Sequence, residues 1–239
     1  MPKDLVGGIE TMFRDCPDEP RLPEQPAPVL IHRSRRQRES VQAGRVATRR
    51  AASRLLAELV ALGHEDEVHG KRLAAWSGRL ARELGLASER VLDIETGALL
   101  HNVGYLRLRA IAFQRPGPLT AGERFELHRH PAIGGRILQS IPGLHRAIPL
   151  VTSHHERYDG GGYPQRSRGS EIPIDGRIFH LVDAYEAMTS ERPYRARKTD
   201  AHARTAIADA VGSQFDPVVQ WAFASIPAAT WLDVARSAR

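Results

Sequence analysis

The chain of 239 residues has one cysteine, Cys16, and no long hydrophobic run. A single cysteine cannot form an internal disulfide or a thiolate-rich metal site, so any metal must be bound by histidine and carboxylate. No segment reaches the roughly 18 consecutive apolar residues that a membrane-spanning helix needs. The N-terminus carries acids and prolines where a secretory signal has a basic and then an apolar segment. We therefore expect a cytoplasmic protein with no membrane partner.

Lysine is scarce as well, since only Lys3, Lys71 and Lys198 contribute to the 34 basic residues, which outnumber 28 acidic ones. The other basic residues are arginines, and eight of them lie within residues 33–54 beside a single acid, Glu39. Such a segment is typical either of a nucleic-acid-binding stripe or of a solvated helix face. We favour the solvated face because no aromatic side chains interleave with the arginines, and we expect no nucleic-acid partner.

Alternating strand patterns and internal repeats are also missing, and helical spacing runs from residue 41 almost to the C-terminus. Leu73, Trp76, Leu80 and Leu84 lie on one helix face, which Gly85 is expected to end. Capping residues predict the starts of further helices. Helices are expected to start at Ser88, at Thr120 with Glu123, near Pro173, at Thr199 and, for a short last helix, at Asp216. Two further helices are expected over residues 131–140 and 143–156.

Composition divides the chain into three parts. Prolines are frequent near the N-terminus and apolar periodicity is weak there, which predicts a flexible Pro/Arg-rich arm over residues 1–40. Residues 41–64 are expected to form a helical lead-in. Residues 65–239 then form the globular domain, which the patterns predict to be all-α.

Histidines and acids lie where the predicted helices begin, end or turn. Imidazole and carboxylate suit divalent iron, manganese, zinc or nickel, and ligands on separate helices of a bundle can converge in its core. The adjacent pair His154 and His155 carries most weight, because neighbouring imidazoles repel when protonated and a metal would favour their neutral form. The candidate set is Glu65, His69, His101, His130, His154, His155 and Asp183. The other histidines are interpreted as ordinary core or surface residues: His32, His64, His128, His145, His180 and His202.

These residues and the segments around them resemble the HD-GYP branch of the HD metal-dependent phosphohydrolases. The likeness lies in His101-Asn102, in HHERYDGGGYP over residues 154–164 and in RPYR over residues 192–195, in this order. It implies an all-α HD-domain helical bundle with a C-terminal GYP-type helical extension. It also implies two or three divalent metal ions, iron or manganese, and hydrolysis of cyclic di-GMP or a related cyclic dinucleotide.

The resemblance further implies a role for each matching position. Its metal ligands are His69, His101, His130, His154, His155 and Asp183. Glu65 matches an extra carboxylate ligand of the three-metal members, with an exposed acid at a helix start as the alternative. Gly162, Tyr163 and Pro164 match a loop beside the substrate. Arg192 and Arg195 match positions that contact phosphate or guanine, for which guanidinium is chemically suited.

Two catalytic positions depart from the family pattern. Asn102 stands where the family has an aspartate that bridges two metals, and Tyr105 stands where it has a lysine that neutralises phosphate charge. Asparagine offers a neutral, weak ligand, and tyrosine offers a hydrogen-bond donor without a positive charge. Two hypotheses follow: a phosphodiesterase with weakened activity, or a degenerate module that binds metal or cyclic dinucleotide and signals through protein contacts. A signalling partner and a homodimer stay open.

Overall fold

A computed structural model describes residues 35–108, 119–190 and 196–237. Within these ranges the chain forms α-helices and short 3-10 helices but no β-strand, so the all-α prediction is confirmed. The described residues from Glu39 onward form one compact unit. The helices are α1 Arg35–Ala61, α2 Glu67–Glu83, α3 Ser88–Leu99, α4 Ala121–Leu127, α5 His130–Gln139, α6 Ile148–Ser153, α7 Ile174–Thr189, α8 Asp200–Asp209, α9 Pro217–Ser225 and α10 Ala228–Ser237.

Several predicted helix ends are confirmed. Gly85 follows α2 with a positive φ of 71°, a conformation that glycine adopts without steric cost. Thr120 and Glu123 form the capping box of α4. The side chains of Thr199 and Asp216 cap α8 and α9.

Three predictions about helix bounds are wrong. Ser88 lies inside α3, whose N-cap is Ala87. The helix expected over residues 143–156 is a 3-10 turn followed by α6, because Pro149 lacks the N–H that a continuous helix needs and so starts a new one. The helix that begins after Asp216 is not the last, since α10 follows and buries Trp231 completely.

The largest core cluster forms around α2. Its members come from α2, α3 and from α6 to α10, and its aromatic residues are Trp76, Phe179, Tyr185, Phe215, Phe223 and Trp231. A second cluster holds Leu59 of α1 against residues before α4 and in α5 and α6. Burying such side chains contributes about 1.5–3 kcal/mol each. No helix in the described part of the chain is both long enough and apolar enough to cross a membrane.

A close backbone approach brings two site segments together. A 3-10 helix, Val103–Arg107, packs on the start of α5. A Cβ atom at Gly104 would overlap the carbonyl oxygen of His130, so only glycine fits there. The approach places Asn102 and Tyr105 beside the first histidine of α5.

Candidate metal centre

Three imidazoles converge between α5 and the end of α6. His130 is the first residue of α5, whereas His154 and His155 directly follow α6. The Nε2 atoms of His130 and His154 lie 3.1 Å apart, and one ring nitrogen from each of the three residues falls within 4.8 Å of the others. Nitrogens this close can share one metal ion.

Backbone carbonyls fix which ring nitrogen faces this centre. The Nδ1 atoms of His101, His130 and His154 lie 2.8, 2.8 and 2.9 Å from the carbonyl oxygen of the residue three positions earlier. Because a carbonyl oxygen only accepts, each Nδ1 carries the proton. Each Nε2 therefore carries the lone pair, which His130 and His154 direct toward each other and His101 directs toward Glu65, as metal-binding histidines do.

Burial keeps these imidazoles neutral. We call His101, His130, His154 and His155 the histidine cluster. Burial lowers the pKa of His101 and of His130 to about 4. It also lowers the pKa of His154 and His155 far below the ordinary value, and the neighbouring imidazoles act in the same direction. Neutral imidazole is the form that binds a metal.

A second group of donors surrounds Glu65. One oxygen of this carboxylate lies 3.8 Å from Nε2 of His69, and the other lies 3.7 Å from Nε2 of His101. Asp183, on α7, is near the same two imidazoles, since its charge acts to raise the pKa of both. The interpretation of Glu65 as an exposed acid is wrong, because its side chain is only 2% exposed.

These donors fit a divalent ion. Burial raises the pKa of Glu65, although the charge of His69 and hydrogen bonds from Asn102 and the backbone act in the opposite direction. A buried, ionised carboxylate is costly in free energy unless a cation lies beside it. Imidazole nitrogen together with carboxylate oxygen suits iron, manganese or zinc.

Asn102 contacts this group as a hydrogen-bond donor. Its Nδ2 atom lies 2.9 Å from Oε2 of Glu65. An aspartate in its place would put a second carboxylate against Glu65, and like charges at that distance repel unless a cation lies between them. The neutral amide therefore holds Glu65 in place without a metal.

Tyr105 lies against His130 of the histidine cluster. Its ring centroid is 4.5 Å from that of His130. Burial raises the pKa of the Tyr105 phenol to about 12, and the charges of Glu65 and Asp183 act in the same direction. The phenol therefore stays protonated at neutral pH and can donate a hydrogen bond.

The loop of residues 162–164, called the GYP loop below, covers His155. The Tyr163 ring stacks on His155 at 4.6 Å and on His128 at 3.8 Å, with interplanar angles of 25° and 9°. A Cβ atom at Gly162 would overlap the backbone of the preceding turn, so the loop needs glycine there. The Tyr163–Pro164 peptide is cis.

Four residues at the site carried no predicted role. His128 stacks on Tyr163, and Nδ1 of His180 lies 3.0 Å from the carbonyl oxygen of His154. Glu156, also buried, accepts from the backbone N–H groups of Gln165 and Arg166, directly after Pro164, at 2.7 and 3.2 Å. Glu186 contacts His69. Its position three residues after Asp183 on α7, and so on the same helix face, is a signal that could have found it.

Two predicted substrate contacts, Arg192 and Arg195, lie outside the described residues. The structure places every other predicted site residue, and these lie around the histidine cluster, the Glu65 group and the GYP loop.

Known proteins match this chain over most of its length. A family model described as HD domain matches residues 45–219. The cyclic di-GMP phosphodiesterase of Thermotoga maritima is 36% identical over 161 residues, which are 66% of this chain and 44% of that protein. The cyclic di-GMP phosphodiesterase response regulator RpfG of Xanthomonas campestris is 35% identical over 62% of this chain and 39% of its own. The 3'3'-cGAMP-specific phosphodiesterase 2 of Vibrio cholerae is 33% identical over 66% of this chain and 30% of its own. The matched part thus spans less than half the length of these relatives.

Two solved structures share the fold. An HDG"Y"P protein from Bdellovibrio bacteriovorus has a TM-score of 0.53 at 18% identity and covers 78% of this chain and 64% of its own. A cyclic GMP-AMP specific phosphodiesterase of V. cholerae has a TM-score of 0.55 at 17% identity and covers 78% of this chain and 52% of its own. At these identities the likeness concerns the helical fold alone.

Proposed function

This chain belongs to the HD-domain family, in its HD-GYP type, and on that premise we propose that it is a metal-dependent phosphodiesterase that hydrolyses a cyclic dinucleotide. The observation that carries the proposal is the convergence of the neutral imidazoles of His130, His154 and His155 beside a second group of donors around the buried carboxylate of Glu65. No side-chain nucleophile is required in such a site.

Cyclic di-GMP is the proposed substrate. Two of the relatives described above are named as phosphodiesterases for this dinucleotide, and a third is named for 3'3'-cGAMP. Cyclic di-GMP and 3'3'-cGAMP are both cyclic dinucleotides that contain guanine. The proposal includes phosphate or guanine contacts by Arg192 and Arg195 and a position beside the loop formed by Gly162, Tyr163 and Pro164.

Iron or manganese is the proposed metal, with at least two ions. When bound, such ions supply Lewis-acid activation of the phosphodiester and of water. The proposed ligands are His130, His154 and His155 for one ion, and Glu65, His69, His101 and Asp183 for another, with Asn102 as an extra candidate.

The chain's own residues then set the rate. The protonated phenol of Tyr105 can donate a hydrogen bond to a phosphate oxygen, but it adds no positive charge where the family has lysine. Asn102 orients Glu65 but adds no negative charge between the two groups of donors. We therefore expect turnover that is slow for this family.

A specific observation favours a second function. The neutral amide of Asn102 donates a hydrogen bond to Glu65 and orients it, at the position where the family has an anionic metal ligand. The same domain could therefore bind a cyclic dinucleotide without cleaving it and act through a protein partner.

Hydrolysis by the purified protein tests both functions. The full chain should be incubated anaerobically with cyclic di-GMP and with iron or manganese in turn, and the products separated by chromatography. We expect slow, metal-dependent cleavage that disappears when His154 and His155 are both replaced by alanine. Cleavage that does not depend on metal or on these histidines would overturn the proposed enzyme. Binding measured by calorimetry with no cleavage would establish the second function.

A further inference from the structure

A buried carboxylate holds His69 from the side away from Glu65. Glu186 lies on α7 with its side chain 2% exposed. Its Oε1 atom lies 3.0 Å from Nδ1 of His69. The opposite nitrogen of the same ring, Nε2, lies 3.8 Å from Oε1 of Glu65. The two carboxylates therefore contact opposite edges of one imidazole.

Their environments differ in charge. The guanidinium of Arg72 forms an ion pair with Glu186, and Oγ of Ser190 donates to the same Oε1 atom at 2.7 Å. Arg72 also donates to Ser190 at 3.2 Å. Although burial alone would raise it, the pKa of Glu186 is lowered to about 2 by its bonds to His69, Ser190 and Arg72. The charge of Glu186 is thus already compensated by Arg72, whereas Glu65 has a neutral donor in Asn102 and would be stabilised by a cation.

The hydrogen bond from His69 fixes its tautomer. A carboxylate only accepts, so Nδ1 of His69 carries the proton. Nε2 then presents its lone pair on the side of Glu65 and His101. Buried carboxylates that accept from the far nitrogen of a metal-binding histidine orient the ring and raise its basicity.

We propose that Glu186, held by Arg72 and Ser190, is a positioning residue that sets the tautomer and orientation of His69 for metal binding. The inference rests on the proposed function, because it needs a metal at Nε2. Losing such a partner lowers metal affinity by about 10–100-fold.

The test compares two variants of the full chain with one control. Glu186→Gln removes the charge but keeps an acceptor, and Glu186→Met removes both. Asp175→Asn is the matched control, since Asp175 is equally buried and pairs with Arg90 at 2.9 Å but contacts no imidazole of the site. One readout is the ¹⁵N NMR signal of the His69 ring in metal-free protein, which reports its tautomer. The other is the affinity for Mn²⁺ by calorimetry.

We expect the Met variant to populate both His69 tautomers and to bind one equivalent of Mn²⁺ about 10–100-fold more weakly, with the Gln variant in between and the control unchanged. If the Met variant does not fold, the Gln variant decides. An unchanged tautomer in folded variants would overturn the inference, even if affinity fell. A natural protein that binds no Mn²⁺ would contradict the proposed function instead, and the tautomer would still decide the role of Glu186.

Discussion

The side-chain amide of Asn102 donates a hydrogen bond of 2.9 Å to the carboxylate of Glu65. Glu65 lies just before α2, and Asn102 directly precedes the 3-10 helix that packs on α5. A neutral donor thus occupies the place where the family has a second carboxylate. This pair links the stability of the domain to the chemistry of its centre.

Replacing Asn102 by aspartate should destabilise the metal-free protein. The new carboxylate would face Glu65 and lose a hydrogen bond to it, so we expect a loss of about 1–3 kcal/mol in the free energy of unfolding. Saturating Mn²⁺ should restore that stability. Asn102→Ala is the control, because it removes the hydrogen bond without adding charge and should gain less from Mn²⁺. Urea unfolding with and without metal measures both effects, and equal responses of the two variants would count against this account.

Restoring both family residues should increase hydrolysis. We expect Asn102→Asp with Tyr105→Lys to cleave cyclic di-GMP on the order of tenfold faster than the natural protein, which corresponds to about 1.4 kcal/mol of activation free energy. Metal content should rise with the rate. Rates are to be compared under anaerobic, reducing conditions with iron and manganese in turn. If the natural protein already matches the double variant, the neutral amide is a sufficient ligand.

Removing the paired histidines should strip the centre of metal while the helices persist. His154→Ala with His155→Ala removes two of the three converging imidazoles. Elemental analysis should find less iron or manganese in the purified variant, and circular dichroism should show unchanged helix content. The matched control is His202→Ala, since His202 is exposed on α8. Retention of the full metal content by the double variant would exclude these residues as ligands.

The metal-free protein should lose stability as the pH falls from about 6.5 to about 4. The pKa of His101 and of His130 is about 4 in the fold, so the unfolded chain binds more protons across this range. Glu65 and His69, whose pKa values are raised, act in the opposite direction but are outnumbered by the histidine cluster. Unfolding free energies measured from pH 4 to 7 with a chelator present should therefore rise with pH. His130→Gln should flatten the slope, and a flat profile of the natural protein would refute the prediction.

A methyl group at Gly104 should disturb the centre through the backbone. Its Cβ atom would overlap the carbonyl of His130, so we expect Gly104→Ala to cost about 1–3 kcal/mol and to weaken metal binding. Gly44→Ala on α1 is the control, because no atom lies within 4 Å of its Cβ position. That change should stabilise the helix by about 0.5–1 kcal/mol. The midpoints of thermal unfolding of the two variants are to be compared. Similar shifts in both would contradict the steric role of Gly104.

Local signals were sufficient for much of the fold. The face formed by Leu73, Trp76 and Leu80 and the capping box of Thr120 depend on residues within a few positions of one another, so the sequence predicts them. The helix expected over residues 143–156 is interrupted because Pro149 lies inside an apolar run whose spacing favours a continuous helix. Local spacing also does not indicate that α10 follows α9 and buries Trp231 in the core.

The candidate site divides in the same way. The candidate ligand positions follow from motifs, so His154 and His155 could be proposed from the sequence. The contact between Glu65 and Asn102 joins positions 37 apart, and no motif or helical spacing connects them. Stacking of His128 on Tyr163 likewise depends on how α4 meets the loop. Such contacts require the tertiary structure.

The stack of His128, Tyr163 and His155 would limit how the proposed dinucleotide substrate approaches. Two rings that both stack on Tyr163, at 3.8 and 4.6 Å, cannot share one face of it, so each face of the phenol is covered. A guanine base therefore has no free face of the Tyr163 ring on which to stack. Recognition through this residue is restricted to the rim of its ring, where the hydroxyl group selects partners by hydrogen bonding rather than by aromatic overlap.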